Sequence, residues 1–361
     1  MKIGILTFHK ARNYGAILQT YALQKKLRQI TLDTEIIDYT CPYFRDSYKI
    51  ISFKNFTVKS IVKQFLLYKS KKQEYSKFNK FIKSNIRLSK VKNIEKCNIA
   101  KYTKEYDRII VGSDQVWNMS CTNGDLTYFL DFVTDNKRKC SYAASFGKKD
   151  INDIEKQVVK KYLSSFNTIS VREKDGQKIL NELNIKNASV AVDPTLLIEK
   201  NEWDKISAKR MFNTGYILVY LLYSSDEIKK FAKKLAKEKN LKIIVLQSDL
   251  KKEINGSKII RNAGIEEFIS LIKYADYVIT NSFHGTIFSL IFHKSFYISL
   301  IKGQNAPNSR LENLLKEYNL TNRILDYNDT NFDQEIDYEE VDKEIVKNRD
   351  KSLNFLKRVI K

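Results

Sequence analysis

The sequence predicts an α/β protein of two Rossmann-like domains facing a cleft, residues 1–200 and 201–361, with a basic helical insertion at 43–105 in the first. Three observations predict this. Short apolar runs rich in β-branched residues alternate with stretches of helical periodicity, once before residue 200 and once after it. Many of these runs end in small or polar residues, as in Gly112-Ser113-Asp114 and Asn281-Ser282, which is where open α/β sheets bind ligands. The length, 361 residues with 43% hydrophobic and 12% aromatic residues, is enough for two packed cores.

Ile3 to Phe8 reads as a first buried strand, and Asn13-Tyr14-Gly15 as a loop. Ala16 to Ile30 is helical, with Ile17, Leu18, Tyr21 and Leu27 on one side, and Thr34 to Asp38 returns as a strand. The Gly15 loop lacks the GxGxxG spacing, so a nicotinamide or flavin dinucleotide is not expected. Residues 43–105 are rich in Lys, Phe and Tyr and contain no glycine, with helical spacing around Ile61, Phe65, Leu66, Phe78, Phe81 and Ile82. This insertion is a solvated basic face over a satellite core, or a surface that docks on anionic lipid headgroups or a lipid-linked pyrophosphate.

Arg108 to Val111 resumes the sheet and runs into Gly112-Ser-Asp-Gln-Val-Trp-Asn118. Asp114 and Gln115 can hold sugar hydroxyls and Trp117 can stack on a sugar face. The plainer alternative makes Trp117 core and Asp114 a helix cap. Lys139 to Ser145 is another strand, closed by Phe146-Gly147. Asn167 to Val171 leads into Arg172-Glu173-Lys174-Asp175 and a helix through Leu183. A guanidinium at such a turn can grip a carboxylate or phosphate with two bonds, or pair with a helix-start acid such as Asp175. Ser189 to Val192 is a strand stopped by Asp193-Pro194-Thr195.

Residues 199–213 read as a linker with polar helix character. The second series runs strand Tyr216–Leu221, helix Asp226–Lys239, strand Lys242–Leu246 and helix 264–275. Tyr277 to Thr280 is a buried strand, broken by Asn281 and Ser282, both good N-caps. A helix follows from Gly285, with Ile287, Leu290 and Ile291 on one face. His284 lies at the junction, where backbone N–H groups and the helix dipole favour an anion; the plainer alternative is that it only caps or packs. Strand Ser295–Leu300, a loop from Gly303 to Ser309 and a helix opened by Arg310 come next. Tyr338 to Lys361 reads as one amphipathic helix with Val341, Ile345, Phe355, Leu356 and Val359 inward.

Net charge is +22, which calls for anionic partners, although a general bias toward Lys, Asn and Ile accounts for part of it. Cys41, Cys97, Cys121 and Cys140 have neither metal-ligand nor redox spacing and read as free thiols of a reducing compartment. Met1 to Leu6 is too short an apolar run for a signal peptide, and no run of about 18 apolar residues exists to span a membrane. A cytoplasmic protein is expected, with a peripheral contact at the inner face of an anionic membrane.

Six segments occur in order: Asn13-Tyr-Gly-Ala16, Gly112-Ser-Asp-Gln-Val-Trp-Asn118, Ser141-Tyr-Ala-Ala-Ser-Phe-Gly147, Ser170-Val-Arg-Glu173, Asp193-Pro-Thr195 and Asn281-Ser-Phe-His-Gly285. Together they resemble the polysaccharide pyruvyl transferase family, from residue 1 to about 310. The resemblance implies a fold like the glycosyltransferase B type. It implies phosphoenolpyruvate as donor and a pyruvate ketal on a sugar of a cell-surface glycan such as a capsule or exopolysaccharide. The family's donor-binding Arg corresponds to Arg172 and its His to His284.

The residue chemistry fits. Phosphoenolpyruvate carries a carboxylate and a phosphate, so Arg172, Ser282 and Gly285 at the helix start, and Arg310 are the expected donor-binding groups. His284 is the expected general acid for C3. A helix N-terminus disfavours an imidazolium, whereas bound phosphate and carboxylate favour it. Asn13, Asp114, Gln115 and Trp117 are the expected acceptor-binding residues, for a sugar that is lipid-linked or nucleotide-linked. No metal or cofactor is expected, since the sequence offers no HExxH, CxxC or clustered-carboxylate site. A sugar-nucleotide glycosyltransferase is the alternative, but no Asp or Glu falls between Asp276 and Glu312 to hold a ribose. A nucleic-acid-binding module would explain the charge, yet no motif for one is present, and no nucleic-acid partner is expected.

Overall fold

The computed structural model describes residues 1–47, 58–250, 254–301, 308–325 and 335–360. The described residues form two compact units. The first comprises Met1–Tyr48, Ile82–Ile198 and Glu344–Lys361, and the second Lys49–Phe81 and Glu199–Lys343. The second α/β series lies in the second unit, whose longer segment starts at Glu199. Two segments depart from the expected division: the long insertion helix goes largely with the second unit, and most of the last helix goes with the first.

The first unit carries strands β1 (Ile3–Leu6), β2 (Thr34–Ile36), β3 (Arg108–Val111), β4 (Lys139–Ser141), β5 (Ile169–Val171) and β6 (Ala188–Val190). β2-β1-β3-β4 form one parallel sheet, in register Ile3 to Thr34 and Ile3 to Arg108. Parallel bridges Cys140–Thr168 and Ala144–Val171 carry the order on to the β5-β6 pair. β3 has its expected range, whereas β1, β2 and β4 end two to four residues before the expected runs do. The helix after β1 is Tyr14–Ile30 rather than 16–30. Asn13 caps it by accepting from Ala16 N at 3.1 Å, so Tyr14 and Gly15 form its first turn.

The second unit carries β7 (Tyr216–Tyr220), β8 (Lys242–Leu246), β9 (Lys258–Ile260), β10 (Tyr277–Thr280) and β11 (Ser295–Ile298), all parallel in the order β11-β10-β7-β8-β9. β9 was not expected: it is three residues long and opens on the exposed Lys258, so it leaves little apolar signal. Helices Lys200–Ile206, Asp226–Glu238 and Ile265–Lys273 fall close to their expected ranges. Helix Phe283–Ile291 is buried along its whole length, beyond the one face that its spacing suggested. Phe288 packs edge-on against Trp203 and Phe268. The expected loop from Gly303 falls largely outside the described residues, and so does the Ile61 side chain.

The insertion is helical, at Pro42–Ser47, Val58–Asn85 and Ile99–Tyr102. Of its expected inward residues, Phe78 and Phe81 are buried but Phe65 and Leu66 are exposed. No helix among the described residues is long and apolar enough to cross a membrane.

Helix Tyr338–Ile360 buries Val341, Ile345, Phe355, Leu356 and Val359, the expected face. Within the first unit its Ser352 hydroxyl accepts from Val192 N at 3.0 Å, Arg349 Nε donates to Leu196 O at 2.7 Å, and Phe355 lies against Tyr142. These bonds make the helix part of that core. Leu356→Ala should therefore destabilise the first unit by about 2–5 kcal/mol. Urea unfolding followed on Trp117, in a Trp203→Phe background, measures it. A loss below about 0.5 kcal/mol would place the helix outside the core.

Candidate active site

In the first unit, segments that follow β3, β4, β5 and β6 meet around Arg172. The guanidinium is buried. Its Nε donates to Glu173 Oε1 at 2.9 Å and its Nη1 to Asp193 Oδ2 at 2.9 Å, while Nη2 lies 4.0 Å from Asp114 Oδ1. Burial alone would lower the Arg172 pKa, but Glu173, Asp193 and Asp114 outweigh it and hold the value above the ordinary one. The helix-start partner is thus Glu173, the residue before the helix, joined by Asp193 from the turn after β6, and not Asp175.

Each carboxylate is further tied. Ser145 Oγ donates to Glu173 Oε1 at 2.9 Å, and Ser113 Oγ to Asp193 Oδ2 at 3.2 Å. Asp193 Oδ1 accepts from Thr195 N at 3.0 Å and Thr195 Oγ1 at 2.7 Å, capping the short 3-10 turn Pro194–Leu197. Four of the six sequence segments therefore converge at one cluster. Two non-glycine residues beside it adopt left-handed backbone, Asp114 (φ 78°) and Ala143 (φ 48°), conformations that usually mark a site where the surroundings over-determine the chain.

The expected acceptor residues separate. Asp114 follows β3, and its side chain turns back to accept from Gln115 N at 2.8 Å. Gln115 is half-buried and accepts from Asn118 Nδ2 at 3.0 Å. It lies over Gly147, where φ is 67° and an added Cβ would sit 2.0 Å from Gln115 Oε1. Asn13 caps its helix. Trp117 does not stack on a ligand: it is 2% exposed, its indole N–H donates to Tyr128 O at 3.1 Å, and its ring packs among Phe129, Phe146 and Phe166. Trp117 is core, and the sugar-stacking expectation is corrected accordingly.

Nearby in the same unit is a pair the sequence did not announce. Buried His9 follows β1, with Nε2 2.9 Å from Asp38 Oδ1 and Nδ1 3.2 Å from Thr7 O. Lys10 Nζ reaches the same carboxylate at 2.9 Å. Burial would raise the Asp38 pKa, but the bonds from His9 and Lys10 outweigh it and hold the carboxyl well below its usual range. A carbonyl on one ring nitrogen and a carboxylate on the other engage both edges of His9.

In the second unit, Ser282 caps helix Phe283–Ile291, its hydroxyl accepting from Gly285 N at 3.3 Å. Thr280 Oγ1 donates to Tyr220 O at 2.6 Å and accepts from Ser282 N at 3.0 Å, fixing the turn off β10. Asn281 spans to the segment after β7, accepting from Leu222 N at 2.8 Å and donating to Tyr223 O at 2.6 Å. The turn thereby sets His284 on the first turn of the helix, buried, with its ring perpendicular to Phe283 at 5.3 Å. The Arg310 guanidinium stands over the other partner of that ring, 5.8 Å from the Phe283 centroid. Arg310 comes from the first turn of helix Ser309–Glu317, next to Asn308, whose side chain bonds both Ile301 N and Ile301 O. Ser282, His284, Gly285 and Arg310 thus lie together at the carboxyl ends of β10 and β11, whereas Arg172 belongs to the first unit.

The family model for polysaccharide pyruvyl transferase matches residues 13–299. The chain belongs to the polysaccharide pyruvyl transferase family. The matched range runs from the Asn13 cap through β11 and includes the Arg172 cluster and the His284 turn. Among solved structures, similar ones include a protein assigned as a UDP-N-acetylglucosamine 2-epimerase from Listeria monocytogenes, with a TM-score of 0.52 at 8% identity, covering 99% of this chain and 90% of that one. The UDP-GlcNAc 2-epimerase of Methanocaldococcus jannaschii gives a TM-score of 0.48 at 14% identity, over 86% of this chain and 87% of that one. Comparison with curated protein sequences yields no match. The family member therefore has the α/β fold of the glycosyltransferase B type that its sequence suggested.

Two outcomes follow from this geometry. Arg172→Ala leaves Glu173 and Asp193 buried without their cation and should cost about 3–5 kcal/mol in chemical denaturation; a neutral result would show that the cluster does not hold the strand ends. Gly285→Ala places a Cβ 2.7 Å from Thr280 Oγ1 and 3.2 Å from a Tyr220 ring carbon. It should lower stability by about 1–3 kcal/mol as an overpacking change, read as a fall in Tm, and an unchanged Tm would mean that the turn yields without cost.

Proposed function

We propose that this chain transfers pyruvate from phosphoenolpyruvate to two hydroxyls of a sugar, closing a pyruvate ketal during synthesis of a cell-surface polysaccharide. Family membership supports a pyruvyl transferase acting on a sugar. The observation that carries the finer reading is His284 on a Ser-capped, glycine-packed helix start with Arg310 beside it.

The donor needs cationic and N–H partners for its phosphate and carboxylate, and the N-terminal turn of helix Phe283–Ile291 and Arg310 supply both kinds. Arg172 is bonded to Glu173 and Asp193 within the first unit, so its planar guanidinium is held in one orientation there.

His284 delivers a proton to C3 and turns the enol carbon into a methyl group, which leaves C2 electrophilic. One sugar oxygen bonds to C2, the C2–O bond to phosphate breaks, and the second sugar oxygen takes its place. Of the two hydroxyl protons, one balances the proton given to C3 and the other leaves with phosphate. The scheme needs no metal. Asp114 and Gln115, after β3, are the proposed acceptor contacts; Asn13 would contribute only as far as its capping bond allows. The acceptor sugar is lipid-linked or nucleotide-linked.

His284→Ala tests the reading. It should still bind phosphoenolpyruvate by calorimetry, a few-fold weaker, while turnover falls on the order of 10²–10⁴-fold. In D₂O the wild-type product should carry solvent deuterium in its ketal methyl group. Pyruvate transfer by His284→Ala near the wild-type rate would return His284 to a packing role.

A further inference from the structure

The insertion helix Val58–Asn85 has two unlike sides. Leu67, Glu74, Phe78 and Phe81 are buried, at spacings of seven, four and three residues, which is one face of a helix. On the flank of that face, still within the second unit, Gln73 accepts from Asn262 Nδ2 at 2.7 Å and Lys77 pairs with Glu267. The opposite side opens with Val62, Phe65 and Leu66, which are 52%, 83% and 64% exposed. Further along the same outward stripe come Lys69, Lys72 and Lys80, all exposed.

Such exposure is unusual. Three neighbouring large apolar residues stay in water at the end of a helix whose other side has a normal core contact. Single exposed apolar residues need no explanation, but a contiguous patch bordered by charge marks an interaction surface. The charge is one-sided: the helix carries eight lysines against one glutamate, and that glutamate, Glu74, is buried. Lys63 pairs with Asp249 and Lys77 with Glu267, whereas among the described residues Lys69, Lys72 and Lys80 form no ion pair. Lys72 stands over the half-exposed Tyr68 ring at 5.9 Å.

We propose that this outward face is a docking surface for an anionic lipid bilayer, with Val62, Phe65 and Leu66 entering the interface and Lys69, Lys72 and Lys80 meeting acidic headgroups. The occupant follows from the chemistry. A nucleic acid would satisfy the lysines but leave Val62 and Leu66 in water. A second copy of a +22 chain would bring like charge to the lysines. An anionic bilayer supplies apolar depth and negative charge side by side, which is what a basic helix with an apolar end needs. The inference does not rest on the proposed reaction, and its test reads binding rather than turnover.

The test is co-flotation of the full chain with vesicles of phosphatidylcholine alone or mixed with phosphatidylglycerol. The chain should bind the mixed vesicles at least about tenfold more tightly, and the binding should weaken as salt shortens the Debye length. Phe65→Ser with Leu66→Ser, and separately Lys69→Glu with Lys72→Glu and Lys80→Glu, should each reduce it by about tenfold or more. All five side chains are exposed, so circular-dichroism melting should be unchanged. Equal binding to the two vesicle types, or full binding by both variants, overturns the proposal. So does a wild-type oligomer that the serine variant converts to monomer without any vesicle binding, which would assign the face to a second copy.

Discussion

The first unit depends on one buried cation. Arg172 sits where the segments after four parallel strands run out, and it bonds carboxylates from two of them while facing a third. Beyond the named strands these segments are joined by isolated backbone bridges, Asp114–Ala144 and Ala144–Val171, and side chains add to them. Here Glu173 and Asp193 reach back through Ser145 and Ser113 to the segments after β4 and β3. The arrangement resembles a hub more than a row of independent salt bridges. Desolvating an arginine is costly, and the cost is met only because its partners are themselves saturated.

The second unit solves the corresponding problem with neutral groups. Thr280, Asn281 and Ser282 use short polar side chains to tie the turn after β10 to the segment after β7, and Gly285 lets the helix start approach the strand end. The result is a rigid turn whose polar atoms are largely spent on structure, with His284 and Arg310 as the ionisable side chains beside it. Preorganisation of that kind suits a group meant to hold one position while a ligand comes and goes. One unit thus concentrates charge around its strand ends, and the other ties its strand end with neutral side chains, with His284 and Arg310 beside the turn and buried Glu74 acting on Tyr220.

Much of this was legible in the sequence because it is local. The β10 run, the Ser282 cap and the Gly285 start lie within nine residues, and their order alone placed His284. Non-local facts were not legible. Asp193 lies 21 residues from Arg172, and the acid that the sequence offered as an alternative partner was the nearer Asp175. Trp117 has the composition of a sugar platform, but Phe129, Phe146 and Phe166 close around it from distant segments. His9 and Asp38 are each unremarkable in sequence and meet only because β1 and β2 are adjacent. Phe65 and Leu66 misled in the opposite sense: apolar residues at helical spacing read as inward, and the period cannot say which side of a helix the rest of the protein covers.

The division of the chain has a consequence for how the protein is made. The backbone passes between the two units at residues 48–49, 81–82, 198–199 and 343–344, so neither unit is a continuous stretch of sequence. Ser352, Phe355 and Leu356 complete the core of the unit that begins with β1. During synthesis from the amino end, residues 199–343 are made after Ile198 and before the helix segment that closes that unit's core. The apolar surface that Phe355, Leu356 and Val359 cover is left open until that helix has been added.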